Sequence, residues 1–253
     1  MTGDQRPELA RLRVTVAQGC RILAMEGLVE GVLGHVSARV GRDQMLIRCR
    51  GPEELGLERT VAEDVRLVDL DGRGDDPAGG STTDREWAYA LPKELPIHGE
   101  LLRARPEVGA VVHAHPPAVL LCGLAGLELR PVFGAYNIPA MRLALEGVPV
   151  YPRSVLISRP ELAAEMIAAM GRRPLCVLRG HGITVTGASV QQAVVRALNL
   201  DALARVTLAL AQLGRQAPDL PPEDVAELPD LGAAFNDDLV WRFHLARLQR
   251  QGK

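Results

Sequence analysis

The chain has 253 residues, a net charge of −2, a hydrophobic content of 47% and an aromatic content of only 3%. This suits one large domain, residues 1–253, whose core is built from Leu, Val, Ile and Ala. There is no basic surplus for nucleic acid, no apolar run long enough to cross a membrane and no apolar signal core in the first residues, so a cytoplasmic protein is expected. Cys20, Cys49, Cys122 and Cys176 lie far apart without a CxxC and read as buried thiols in a reducing compartment.

In chain order, residues 1–6 are expected to be a loose end. Pro7 to about Gly27 reads as an amphipathic helix, with Leu9, Leu12, Val16, Cys20, Leu23 and Ala24 at helical spacing. "GHVSARV" and "QMLIRCRG" are strand candidates, and "VRLVDLDG" is a third that closes in an Asp-Gly turn. Residues 73–86, rich in Gly, Asp and Thr, read as a loop. "PIHGELLRARP" is a helix with Pro96 in its first turn. "VGAVVHAHP" is a strand, "PPAVLLCGLAG" a helix stopped by glycine, and "PLCVLRGHG" a buried strand running into a glycine turn. Ser189 is placed to cap a long helix. Residues 215–253 form a C-terminal extension: a proline-rich acidic surface segment, then a closing amphipathic helix, "DDLVWRFHLARLQR". This mixture predicts an α/β sandwich around a central mixed sheet. A dinucleotide fold is not expected, since no GxGxxG follows the first strand.

The chain has six histidines, and two of them are His113 and His115. In a strand, residues two apart share a face, so these imidazoles stand side by side behind a valine run. Such a pair also occurs at a plain polar rim. His181 adds a third ring at another strand end, between glycines that free the backbone to aim it. Three imidazoles with an open fourth position is a layout of catalytic metal sites.

Together, "GHVSAR", "ELPIHGELLRARPEVGAVVHAHP" and "LRGHG" resemble the class II aldolase/adducin family over most of residues 10–210. The specific string is E-x-x-x-H, fourteen residues, H-x-H, then a distant H-G. The resemblance implies a three-layer α/β/α fold, a homotetramer with sites near subunit boundaries, and a divalent metal held by His113, His115 and His181. Zinc suits three imidazoles best, with cobalt, manganese and iron as alternatives. Glu94 falls on the family's catalytic glutamate; taken alone it would read as a solvated carboxylate at a helix entry.

Where sugar-phosphate aldolases of this family carry Gly-Asn-x-Ser, this chain reads Gly34-His35-Val36-Ser37. Their phosphate-binding Thr-Gly and Ser-Ser pairs are here Arg50-Gly51, with Arg48 two residues earlier, and Pro92-Lys93. Small hydroxyl donors are exchanged for long cationic ones, and a guanidinium fork suits a carboxylate. Arg48, Arg50, Gly51, Lys93 and Ser37 are therefore candidate substrate contacts, although the cations can equally decorate a strand and a loop. The pattern is similar to the family's decarboxylase branch, which acts on dihydroxyphthalate in the degradation of aromatic compounds. A small-molecule carboxylate substrate is implied. His35 is a candidate catalytic residue, as is Tyr136, near where the aldolases draw a tyrosine from a neighbouring subunit. His98 either orients the site or lies on a helix surface, and His244 reads as part of a packing face. The competing readings are an aldolase for a non-phosphorylated keto-acid or sugar, and a non-catalytic adducin-like module. The latter lacks the metal histidines that this chain keeps.

Overall fold

The computed structural model describes residues 5–74 and 89–250. Seven strands form one sheet: β1 (His35–Val40), β2 (Gln44–Arg48), β3 (Val65–Asp69), β4 (Ala110–Ala114), β5 (Val150–Tyr151), β6 (Leu175–Leu178) and β7 (Gly182–Gly187). They lie in the order β3-β2-β1-β4-β7-β6-β5. All neighbours are antiparallel except the parallel pair β5 and β6, so the sheet is mixed.

Two helical layers cover it. On one face lie α1 (Gln5–Met25), α3 (Pro117–Ala125), α4 (Ile138–Ala144), the long α6 (Val190–Gln212) and the closing α8 (Val240–Arg250). Their buried Leu, Val, Ile and Ala side chains pack on Val36, Ala38, Val112, Ala114, Ile183 and Val185. On the other face α2 (Leu95–Ala104) and α5 (Pro160–Met170) cover a smaller core around Ile47, Val68, Val111 and Cys176. Strand alternation thus sends one set of side chains into each layer. The α/β/α sandwich expected from the sequence is the fold observed.

Local signals behave as their chemistry dictates. Ser189 caps α6, accepting the Gln192 N–H on its hydroxyl at 3.2 Å. Asp69 accepts the N–H groups of Asp71 and Arg73 at 2.9 and 2.8 Å, which closes the Asp-Gly turn after β3. The details add to the expectations, and correct one. Helix α1 begins at Gln5, so the loose end cannot extend to residue 6. The segment 215–232 lies at the surface as expected and includes a short helix, α7 (Pro222–Glu227). Strands β5 and β7 and helices α4 and α5 lie where no element was predicted. Most of the predicted 73–86 loop lies outside the described residues. No helix among the described residues is long and apolar enough to cross a membrane.

Candidate metal centre

Strand β4 carries His113 on the α2/α5 face, and His115 continues that face just past the strand end. Their Nε2 atoms stand 2.8 Å apart. His181 arrives from the turn between β6 and β7. Gly180 takes φ 63° there, a left-handed conformation that glycine adopts without strain. Gly182 follows, and a Cβ on it would lie 2.6 Å from His115 Cδ2 and 2.3 Å from the Ala114 carbonyl oxygen. The bare glycine is what lets β7 approach the histidine pair so closely. Ring centroids of His113 and His115 lie 4.9 and 5.0 Å from that of His181.

Glu94 comes from the residue before α2. Its Oε1 accepts the Ile157 N–H at 2.9 Å, while Oε2 lies 3.2 Å from His113 Nε2 and 3.4 Å from His181 Nε2. The carboxylate is 5% exposed. Burial opposes its ionisation, but hydrogen bonds from His113 and His181 outweigh that and hold it well below the usual carboxylate range. One ligand atom from each of Glu94, His113, His115 and His181 lies within 4.8 Å of the others. Ligands about 2.1 Å from a tetrahedral ion are roughly 3.4 Å apart, so the set fits a divalent cation. Burial, then the neighbouring imidazoles, lowers His115 to about 3, leaving that ring neutral with a lone pair to offer. Bare nitrogens and a carboxylate oxygen converging this closely repel one another unless a cation or proton lies between them. The remaining Nδ1 atoms of His113 and His181 are buried without a partner among the described residues.

His35 is the cross-strand partner of His113. The rings stack with centroids 4.9 Å apart and planes 25° from parallel. His35 Nδ1 meets His98 Nε2 at 2.7 Å, and Ser37 Oγ meets His98 Nδ1 at 2.6 Å. His98 is wholly buried, so its helix-surface reading is corrected. Burial drives His35 well below its ordinary value, and His98 to about 3.

The expected cationic pair divides. Arg48 is 4% exposed and ion-paired to Glu54. By strand alternation it lies with Val36 and Leu46 on the α1 face, opposite the histidines. Regular pairing ends at Arg48, and exposed Arg50 instead bridges Ala90 through two 2.8 Å backbone bonds. The two arginines thus differ in burial, Arg48 being enclosed and Arg50 exposed. Arg48 and Gly51 line a cleft of about 370 Å³ with Glu54, Arg59, Asp64 and Tyr89; none of the four metal-site residues lines it. Lys93 is exposed beside Glu94. Tyr136 is 88% exposed, with its ring against Phe133 rather than at the histidines of its own chain. His244 bonds Glu26 at 3.1 Å and fastens α8 to the end of α1, the packing role expected of it. Sequence reasoning missed the Ile157 anchor, which no local pattern signals.

Known proteins share this frame. A 3,4-dihydroxyphthalate decarboxylase of Arthrobacter keyseri is 53% identical over 94% of this chain and 94% of its own. One of Terrabacter sp. is 52% identical over 93% and 96%. An aldolase II superfamily protein from Pseudomonas syringae superposes with a TM-score of 0.78 at 22% identity, over 97% of this chain and 95% of its own, which speaks to the fold. The family model for the Class II Aldolase and Adducin N-terminal domain matches residues 14–208, and the chain belongs to that family.

Proposed function

We propose that this chain is a metal-dependent carbon–carbon lyase that decarboxylates a hydroxylated aromatic dicarboxylate of the dihydroxyphthalate type. The observation that carries the reading is the near-full-length similarity to the Arthrobacter keyseri decarboxylase, in a chain that retains Glu94, His113, His115 and His181 as one donor set. Loss of one carboxylate from such a substrate leaves a dihydroxybenzoate.

His113, His115 and His181 would hold the cation, with zinc the first candidate for three imidazoles and cobalt, manganese or iron as alternatives. The chemistry it supplies when bound is Lewis-acid stabilisation of negative charge on an adjacent oxygen. The chain's own residues do the rest. His35, stacked on His113, faces the same side as the donor set and holds a substrate oxygen. Arg50 and Lys93, both exposed, supply positive charge for the carboxylate that is retained. Arg48, buried on the opposite face and tied to Glu54, has no part in holding the substrate. As the carbon–carbon bond breaks, its electron pair passes to the ring, and the ring carbon then takes a proton. Glu94, ionised at rest, takes a proton on Oε2, the oxygen turned toward the histidines, from a substrate hydroxyl, and passes it to that carbon directly or through a water it orders.

A cytoplasmic homotetramer belongs to the same reading. Free buried thiols at Cys20, Cys49, Cys122 and Cys176 support a reducing compartment, and exposed Leu121, Leu124 and Tyr136 support a surface covered by a second copy. Tyr136 would then serve a neighbouring subunit's site. The test is a product assay: the metal-loaded protein is given 3,4-dihydroxyphthalate and, separately, non-phosphorylated keto-acids and sugars. Carbon dioxide with dihydroxybenzoate is expected; aldehyde release from the second panel alone would replace the reading with an aldolase.

A further inference from the structure

Three buried side chains behind the candidate metal centre form a line whose polarity has one consistent solution. Ser37 is 0% exposed, and among the described residues its hydroxyl meets only His98 Nδ1, at 2.6 Å. His98, also 0% exposed, meets only Ser37 and, through Nε2, His35 Nδ1 at 2.7 Å. An imidazole keeps a proton on at least one ring nitrogen, and each of these short contacts needs one donor and one lone pair. If His98 donated from Nδ1, the serine O–H would be buried with no acceptor, and an unmade buried donor is costly. If the serine donates, every proton in the line finds a lone pair. Ser37 O–H then donates to His98 Nδ1, and His98 Nε2–H donates to His35 Nδ1. The remaining proton of His35 sits on Nε2, which has no partner among the described residues. The hydrogen bond at one ring nitrogen thereby decides which nitrogen is protonated.

We propose that Ser37, acting through His98, fixes His35 as the Nε2–H tautomer, so that His35 offers the substrate a hydrogen-bond donor and no acceptor. An asparagine amide offers both. A ring locked this way selects a ligand with an anionic oxygen at that point, a carboxylate or a phenolate, over one with a hydroxyl that must donate. Ser37 and His98 are positioning residues, and only His35 touches substrate. The inference concerns the site of the proposed decarboxylase and rests on that reading for the identity of the substrate. The tautomer itself is open to a test that needs no turnover.

The experiment is nitrogen-15 NMR of the zinc-loaded full chain labelled at histidine, free and saturated with 3,4-dihydroxybenzoate as a non-reacting probe. Expected are protonated Nε2 and bare Nδ1 on both His35 and His98, with the His35 Nε2–H resonance moving downfield on addition of the acid. Ser37→Ala should populate both His35 tautomers and weaken the acid about tenfold, the scale of one hydrogen bond to a charged group. Ser37→Thr, which keeps the hydroxyl, should restore both. A proton on His35 Nδ1 in the parent chain, an Nε2–H unmoved by saturating acid, or undiminished binding by the Ser37→Ala protein would each overturn the proposal. Should the expected tautomer and shift appear while 3,4-dihydroxyphthalate is not turned over, the inference stands and only the functional reading fails.

Discussion

The two faces of strands β1 and β4 differ by one residue of register and by everything chemical. Val36, Ala38, Val112 and Ala114 turn to the α1 and α6 layer and make a dry core. Their immediate neighbours His35, Ser37 and His113 turn to the α2 and α5 layer, where rings and a hydroxyl are buried just as deeply. Burial alone therefore does not separate core from site. The polar face is tolerable because its groups satisfy one another or converge on a point that a cation can fill, whereas the apolar face needs only to exclude water.

That contrast can be broken most severely at the ligands. Replacing His115 with Ala should abolish stoichiometric metal, read by elemental analysis, and take decarboxylation below detection; stripping the parent protein with a chelator should do the same, reversed by adding the cation back. Glu94→Gln should keep the metal and slow turnover roughly a hundred- to ten-thousand-fold, the range of positioned proton transfer. Full activity in that protein would remove Glu94 from the reaction. Gly182→Ala would drive a methyl group against His115 Cδ2 and the Ala114 carbonyl oxygen. A loss of about 1–3 kcal/mol in urea unfolding is expected, as for overpacked sites, together with weaker metal retention.

Two smaller effects sharpen the comparison. His98 has a folded value of about 3 against an ordinary 6.5. As pH falls from 6.5 toward 3, the unfolded chain gains a proton there that the folded chain refuses, so stability drops. The buried ring thus contributes a slope of up to about 1.4 kcal/mol per pH unit in that window. Urea titrations of His98→Asn should show that share of the slope removed, and an identical pH profile would refute it. On the opposite face, Ile183→Val should cost only about 1 kcal/mol and leave metal content unchanged.

Much of this was legible because it is local. The valine run with two histidines at strand spacing, the Asp-Gly turn and the Ser189 cap each carry their cause within a few residues. So does α5: Leu162, Met166 and Met170 recur at helical spacing and are buried, a signal present in the sequence but not used. Other features depend on partners distant in the chain. Arg48 and Arg50 have the parity of one face, yet Glu54 takes the Arg48 guanidinium on the α1 side while Arg50 is exposed. The burial of His98 was legible in α2 itself, since it stands three and four residues before Leu101 and Leu102 on the apolar side; its partners His35 and Ser37 on β1 were not. The Ile157 N–H that anchors Glu94 lies 63 residues away, in an irregular segment.

That anchor gives the two oxygens of Glu94 unequal jobs. Oε1 faces a backbone N–H that always donates, so a hydrogen placed on the lone pair it uses would evict the bond; Oε2 instead faces the ring nitrogens of His113 and His181, partners whose protons can come and go. The carboxyl group is accordingly a pivot, able to gain and lose a hydrogen at its outer atom while the inner atom keeps the side chain from drifting.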